Sequence, residues 1–507
     1  MLRSLRLFGV LFSCWLASPL FADQRPNILL AITDDQSWLD TSFAGSRAAS
    51  TPSFDQIARQ GVYFKNAISA SPGCSPSRAA LLTGRYPWML EQAGTHASSF
   101  PQKYVVYPDL LEAAGYFVGY TGKGWGPGNY KISGRKRNPA GPGFQKRKLK
   151  HRPTSGISQR DYAANFADFL AARPADAPFC FWFGAQEPHR PYQKGSGQAS
   201  GRSLAEATTP PFLPDAEAVR DDLLDYCREI QWADQQLGAM LKQLQAIGEL
   251  ENTIVIVTSD NGMPFPRAKA NNYEYGIHMP LALAWPARIA AGQTVNEPVS
   301  LTDLAPTMLA AAGVKPPSDA PPMVGRNLLP RLTGSQTKLT GGVYSSRERH
   351  SSSRWNNLTY PQRSLRTEEY LLIRNFRPQR WPAGAPQKFD QPGVLGPPHG
   401  GYHDIDASPT LAWMIDNRDA PEVAPLFQAA TERRPEIELF HVKSDPGCLK
   451  NLASDPKAAS IRQAMQQELN AYLAETGDTR QTGSGDVWES YPRYSPIRDF
   501  PQPDWAK

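Results

Sequence analysis

Two short polar clusters stand out by composition and position. Asp34-Asp35 follows the apolar run Asn27 to Thr33, and Asp260-Asn261-Gly262 follows a similar run, Thr253 to Ser259. Each run reads as a buried strand that delivers its polar residues at the C-terminal end. Ligands of open α/β sheets bind beyond such ends, which predicts that the two clusters converge. Three carboxylates and an amide oxygen form a hard, oxygen-only donor set. It suits Ca²⁺, which takes about six to eight oxygens, or Mg²⁺, whose shell waters would complete. The nitrogen and sulfur ligands typical of zinc are missing from both clusters.

A third feature is Cys74-Ser75-Pro76-Ser77-Arg78, which continues through Leu81-Leu82-Thr83-Gly84-Arg85. Alone, Cys74 reads as a small buried hydrophobe or structural thiol. The stretch resembles the Cys-x-Pro-x-Arg signature of type I sulfatases. In that family a maturation enzyme oxidises the cysteine to formylglycine, whose hydrate supplies an oxygen nucleophile and avoids a slowly released S-sulfonated enzyme. By this resemblance Asp34, Asp35, Asp260 and Asn261 hold the cation, calcium in preference to magnesium, with oxidised Cys74 as a fifth ligand.

The resemblance also assigns the cationic groups. Arg78 supports the nucleophile, Lys123 and Lys269 contact sulfate, and His189, in Gln186-Glu187-Pro188-His189, or a lysine protonates the leaving group. Two positions depart from the family pattern. Trp125, in Gly122-Lys123-Gly124-Trp125, and Gln186 stand where sulfatases usually carry imidazoles, which leaves the base that expels sulfate unassigned.

The likeness extends over nearly the whole mature chain and looks closest to the heparan N-sulfatase (sulfamidase) branch. Ser259 to Pro266, Tyr360-Pro361-Gln362-Arg363-Ser364 and Leu371-Leu372-Ile373-Arg374-Asn375 carry it, together with Leu439-Phe440, Asp445-Pro446 and Asn451-Leu452-Ala453. It implies an enzyme that hydrolyses sulfate esters or N-sulfate of sulfated glycans, with an N-sulfoglucosamine sulfohydrolase among the readings. His350, in Arg347-Glu348-Arg349-His350, is a candidate for contacting sugar. Two other readings stay open: a phosphomonoester or phosphonate-ester hydrolase of the same superfamily, and a non-catalytic binder of sulfated glycans.

Met1 to Ala22 reads as a secretory signal, with Arg3 and Arg6 ahead of a short apolar stretch, which predicts a periplasmic or secreted protein. No segment has the length of a membrane span. Five cysteines are too few for a disulfide framework once Cys14 in the signal and Cys74 are set aside. The net charge is +6, yet the stretch from Lys123 to Arg160 contains no Asp or Glu. A basic surface there would attract a polyanion. No nucleic-acid-binding fold accompanies the charge.

The elements that must position these residues alternate between apolar strands and helices. Thr51 to Gly61 carries an N-cap residue, a first-turn proline and a closing glycine. Tyr162, Phe166, Phe169 and Leu170 fall at helical spacing, and Asp215 to Leu250 reads as one or two long helices. The pattern predicts an α/β sandwich, a parallel or mixed sheet covered on both faces. The family resemblance sharpens this to an alkaline-phosphatase-like fold with a mostly parallel sheet over residues 23–340, and a smaller C-terminal α+β subdomain over 341–507 that shapes the cleft. A last amphipathic helix is expected from Ala458 to Glu475.

Overall fold

The computed structural model describes residues 25–507, and the expected leader lies outside the described residues. Asn27–Thr33 (β1), Val62–Phe64 (β2), Phe117–Gly122 (β3), Phe179–Gly184 (β4), Thr253–Ser259 (β5), Leu281–Ala284 (β6) and Gln293–Val295 (β7) build the central sheet. Their order is β3-β4-β1-β5-β6-β2-β7. The first four are parallel neighbours. Strand β6 runs antiparallel to β5 and β2, and β7 pairs parallel with β2.

Both faces of this sheet are covered, which explains why its strands are unbroken apolar runs instead of alternating ones. Ile28, Leu30, Ile32, Ile254 and Ile256 point to one core, shared with helix α2 (Cys74–Thr83) through Ala79, Leu81 and Leu82. Leu29, Ala31, Val255 and Val257 point to the other. There they meet α1 (Pro52–Gln60), α3 (Tyr162–Ala172) and α4 (Glu217–Ala246). The segment expected as one or two helices is a single helix of 30 residues.

Helix α1 forms where its signals predict, but two of them work differently. Thr51 occupies the N-cap without a capping bond; its hydroxyl donates instead to Asp55 at 3.2 Å. Gly61 is extended, with φ −145°. A Cβ there would sit 2.1 Å from the Leu283 carbonyl oxygen, so this glycine permits strand contact instead of closing the helix.

A second, antiparallel sheet follows, with Val343–Arg347 (β8), Gln362–Arg366 (β9), Tyr370–Asn375 (β10) and Ile437–His441 (β11) in sequence order. Helix α5 (Ala459–Glu475) packs Met465, Leu469 and Leu473 against Leu365, Leu372 and Leu439 of this sheet, and the same cluster takes in Tyr86 and Trp88 of the first unit. Arg366 of β9 also reaches Glu274, at 2.6 Å, between buried side chains. An apolar, aromatic and charge-paired seam thus joins the second sheet to the unit that carries the polar clusters Asp34-Asp35 and Asp260-Asn261.

The basic stretch is less free than its composition suggests. Arg137 pairs with Asp109 at 2.8 Å and Glu112 at 2.6 Å, Arg135 with Asp109 at 3.5 Å, and Arg147 with Asp168 at 2.8 Å. Acids from outside the stretch pair these three arginines, while Lys131, Lys136, Lys146, Lys148, Lys150 and Arg152 stay exposed. The four described cysteines are buried and free, and no described helix is long and apolar enough to cross a membrane.

One buried group works against the fold. Glu229 of α4 is buried with neither carboxyl oxygen hydrogen-bonded. Burial, then Glu187 and Asp225, push its pKa up to about 9. A carboxyl held above its unfolded value costs nothing while protonated in both states, and the cost grows as pH rises toward the folded value. Glu229→Gln is therefore expected to raise Tm by roughly 1–3 °C at pH 8, with the gain shrinking toward pH 5. Scanning calorimetry at the two pH values measures this, and an equal gain at both would contradict it.

Candidate active site

The register of the sheet sets the site. Thr33 lies opposite Ser259, Ile32 opposite Gly184, and Gly184 opposite Gly122. Four parallel strands therefore end at one level, and Asp34, Asp260 and Lys123 leave the same carboxyl edge. Gly184 has a direct role, because a Cβ on it would lie 1.9 Å from the Lys123 carbonyl oxygen. The bare backbone lets Lys123 fold back and donate its N–H to the Gly184 carbonyl at 2.7 Å. Cys74 opens α2 at this edge, and Arg78 follows one turn later on the same side.

The carboxylates are tightly interlocked. One oxygen each of Asp34, Asp35 and Asp260 lies within 4.8 Å of the others. Arg78, fully buried, donates Nε to Asp260 Oδ2 at 2.6 Å and Nη1 to the Lys123 carbonyl at 2.7 Å. Its Nη2 lies 3.8 Å from Asp34 Oδ1. Lys123 Nζ reaches Asp34 Oδ2 at 2.5 Å, and Lys269 Nζ reaches Asp35 Oδ2 at 2.6 Å. Asn261 Nδ2 donates to Asp35 Oδ1 at 2.7 Å. Asp35 itself is left-handed, at φ 76°, a conformation that aspartate tolerates better than most residues.

Electrostatics follow from this packing. Burial opposes ionisation of Asp34, but Lys123, His189, Arg78 and Lys269 hold its pKa well below the usual carboxylate range. Burial pushes Asp260 up, against the pull of Arg78. Burial, reinforced by Asp34, raises the Cys74 thiol well above its ordinary value. An unmodified Cys74 is therefore a neutral thiol, 3.8 Å from Asp35 Oδ1, and a poor nucleophile.

His189 and Lys269 both approach Asp35, and a ring nitrogen of His189 also lies within 4.8 Å of Cys74 Sγ and an Asp34 oxygen. His189 Nε2 lies 3.9 Å from Asp35 Oδ2 with its side chain 40% exposed. Its Nδ1 is 2.7 Å from the Arg190 carbonyl, which can only accept, so Nδ1 carries a proton and Nε2 is the atom that exchanges one. Lys269 also meets Asp406 Oδ2 at 2.9 Å. Asp406 comes from the C-terminal unit, and Lys269, then His189 and His350, hold its pKa low against burial.

His350 lies against the start of the motif helix: a Cβ added to Gly73 would be 3.0 Å from its Nδ1. Its ring is 4.5 Å from that of His96. Burial, then Lys269, lowers its pKa to about 3, and burial followed by His350 keeps His96 neutral as well. Two imidazoles thus stand near the cluster although the expected ones are replaced. Sequence reasoning missed His96 and Asp406, since Thr95-His96-Ala97 and Ile405-Asp406-Ala407 carry no spacing signal.

The two replacement residues do structural work. Trp125 Nε1 donates to the Ser75 carbonyl at 3.0 Å, tying the loop after β3 to the motif helix. An indole N–H is a donor only, so it cannot serve as a base. Gln186 is exposed and its Oε1 accepts from Arg160 at 2.6 Å.

The donor set fits a hard cation. Asp34 Oδ1 and Asn261 Oδ1 are buried oxygens without a hydrogen-bond partner. A buried acceptor left unpaired costs about 1–3 kcal/mol. Both belong to the cluster, and a divalent ion would satisfy both.

Comparison with known proteins identifies the family. The Sulfatase family model matches residues 26–314, and the model of the N-sulphoglucosamine sulphohydrolase C-terminal region matches residues 268–382. The chain is 27% identical over 494 residues to an ulvan-active sulfatase of Formosa agariphila, covering 91% of this chain and 77% of that protein. It is 28% identical over 492 residues to the human N-sulphoglucosamine sulphohydrolase, covering 90% and 91%. Among solved structures, a putative sulfatase from Bacteroides fragilis superposes with a TM-score of 0.66 at 18% identity, covering 92% of this chain and 99% of that one. A protein solved with its substrate D-glucosamine-2-N,6-O-disulfate superposes at 0.62 and 20% identity, covering 90% and 98%. With a family match over more than half its length and a site built from that family's residue types, the chain belongs to the sulfatases, hydrolases of sulfuric esters.

Proposed function

We propose that this protein is an exported sulfatase that removes sulfate, as ester or N-sulfate, from sulfated glycans. Its nucleophile would be formylglycine made from Cys74 by a maturation enzyme, and its cation calcium in preference to magnesium. The observation that carries this reading is the pair of unpartnered buried oxygens, Asp34 Oδ1 and Asn261 Oδ1, in a cluster of carboxylates ringed by Arg78, Lys123 and Lys269. The names of the relatives support the substrate class: an ulvan-active sulfatase and an N-sulphoglucosamine sulphohydrolase. The leader-like segment Met1 to Ala22 supports export.

Asp34, Asp35, Asp260 and Asn261 would hold the ion, with the oxidised side chain at position 74. When bound, these groups supply an oxygen nucleophile and a Lewis acid at neutral pH. The chain's own residues do the rest. Arg78 has no exposure and anchors Asp260 and the Lys123 backbone, which fixes the geometry instead of meeting substrate. The Lys123 side chain is 16% exposed, and its ammonium can turn from Asp34 toward an entering sulfate. Lys269, gripped by Asp35 and Asp406, adds a second fixed positive charge. His189 is the most accessible of the group, and Nε2 can give its proton to the leaving oxygen or nitrogen.

Two measurements test the reading. Purified protein coexpressed with a formylglycine-generating enzyme should release sulfate from 4-nitrophenyl sulfate and from at least one of heparan, chondroitin sulfate or ulvan oligosaccharides, scored by ion chromatography. Cys74→Ala should lower kcat by about 10³-fold or more. Faster hydrolysis of 4-nitrophenyl phosphate than of the sulfate would replace the reading with a phosphate-ester hydrolase, and no release from any sulfate would remove it. Separately, Asp35→Asn should cut calcium affinity by at least about tenfold, read by elemental analysis after dialysis against graded Ca²⁺. Wild-type calcium content in that variant would contradict the ligand assignment.

A further inference from the structure

A cavity of about 290 Å³ opens in the C-terminal unit, at the lower limit of small-ligand sites. Three of the chain's twelve tryptophans, Trp355, Trp381 and Trp505, line it. That concentration of indoles in one small space calls for a ligand with flat apolar faces. Arg433, exposed, also lines it and lies over the Trp381 ring, 4.6 Å from the centroid. It forms no salt bridge among the described residues. A guanidinium stacked on an indole keeps its N–H edge free for an anion, and its planar fork matches the oxygens of a sulfate.

The walls are stiff. Arg354 donates to Asp404 at 2.6 Å and to the Trp381 carbonyl at 2.6 Å, and Arg380 pairs with Glu489 at 2.7 Å. These bonds fix the loops that carry Trp355 and Trp381; Asp404 is shared with Arg347, and Glu489 with Arg480, so the lining keeps a positive excess. Arg433 is the exposed arginine of the lining, and its charge also acts on the Asp504 carboxylate at the rim, beside Gln502. The C-terminal segment Pro501 to Trp505 closes the other side.

The cavity is linked to the catalytic cluster through Arg354, which lines it and holds Asp404. The loop that carries Trp355 begins at His350, and Asp404, held by Arg354, lies two residues before Asp406, the partner of Lys269. A polymer held at one place is thereby held at a defined offset from the other.

We propose that this cavity is a second saccharide-binding site, which takes a sulfated sugar unit of the glycan whose other unit is being desulfated. Pyranose C–H faces stack on the indoles, and a sulfate meets Arg433. The inference rests on the glycan-sulfatase reading above, and adds that the enzyme holds more of the polymer than the reacting sugar.

The test separates the two ideas. Wild type, Trp381→Ala, Arg433→Glu and Trp505→Ala, each coexpressed with the maturation enzyme, are run in affinity gels containing heparin, ulvan or neither. Turnover of 4-nitrophenyl sulfate is measured in parallel. Wild type is expected to be retarded by at least one polysaccharide, and each variant to lose about tenfold or more in apparent affinity, in line with one stacked ring or one charge-assisted pair. All variants are expected to hydrolyse 4-nitrophenyl sulfate within about twofold of wild type, which also shows that they fold. Unchanged retardation of Arg433→Glu and Trp505→Ala would overturn the proposal, as would a wild type that hydrolyses the aryl sulfate but is retarded by neither polymer. A wild type that hydrolyses no sulfate would instead remove the catalytic reading, while its retardation still reports on the cavity.

Discussion

Three carboxylates buried within 4.8 Å of one another are the constraint on which the rest of this structure depends. At such separations each like-charged pair repels by roughly 3–4 kcal/mol at an effective dielectric of about 20. No fold tolerates this without compensation. Arg78, Lys123 and Lys269 supply it, each with a nitrogen 2.5–2.6 Å from a carboxylate oxygen. The compensation is incomplete: two oxygens of the cluster remain without a hydrogen-bond partner, and the donor set suits a hard cation. Two of these groups, Lys123 and Lys269, are also the ones proposed to meet the charge of a transferring sulfate, so in that reading stability and chemistry make a common demand.

The architecture serves that demand by register. Four parallel strands ending at one level bring together residues from positions 34, 123, 189 and 260, far apart in the chain. Helix α2 adds Cys74 and Arg78 from above, and its burial on every residue leaves it little freedom to shift. The C-terminal unit brings Asp406 and His350 to the cluster on loops, not on the strands of its sheet. Its seam with the first unit, built on Tyr86, Trp88 and α5, therefore has a functional as well as a structural consequence.

Much of this was legible before the structure. The apolar runs ending in Asp34-Asp35 and Asp260-Asn261 read correctly as buried strands, because strands covered on both faces cannot alternate. The long α4 and the final helix showed in their spacing. What escaped was tertiary. Asp406 and His96 sit in irregular loops where no period marks a residue, and only the folded chain shows that they face Lys269 and His350. That three arginines of the basic stretch are paired also escaped the sequence, since Asp109, Glu112 and Asp168, their partners, lie outside the stretch. Trp125 was legible as a departure from the family pattern but not as the donor that ties its loop to Ser75.

The central claim is that an oxygen nucleophile replaces sulfur at position 74, on the buried side chain that opens α2 beside the three carboxylates. Peptide mass spectrometry of active protein from its native source measures this most directly. The account predicts that the peptide spanning Cys74 to Arg78 carries an aldehyde, trapped as a hydrazone, in proportion to specific activity. Fully active protein with an intact Cys74 thiol would contradict it.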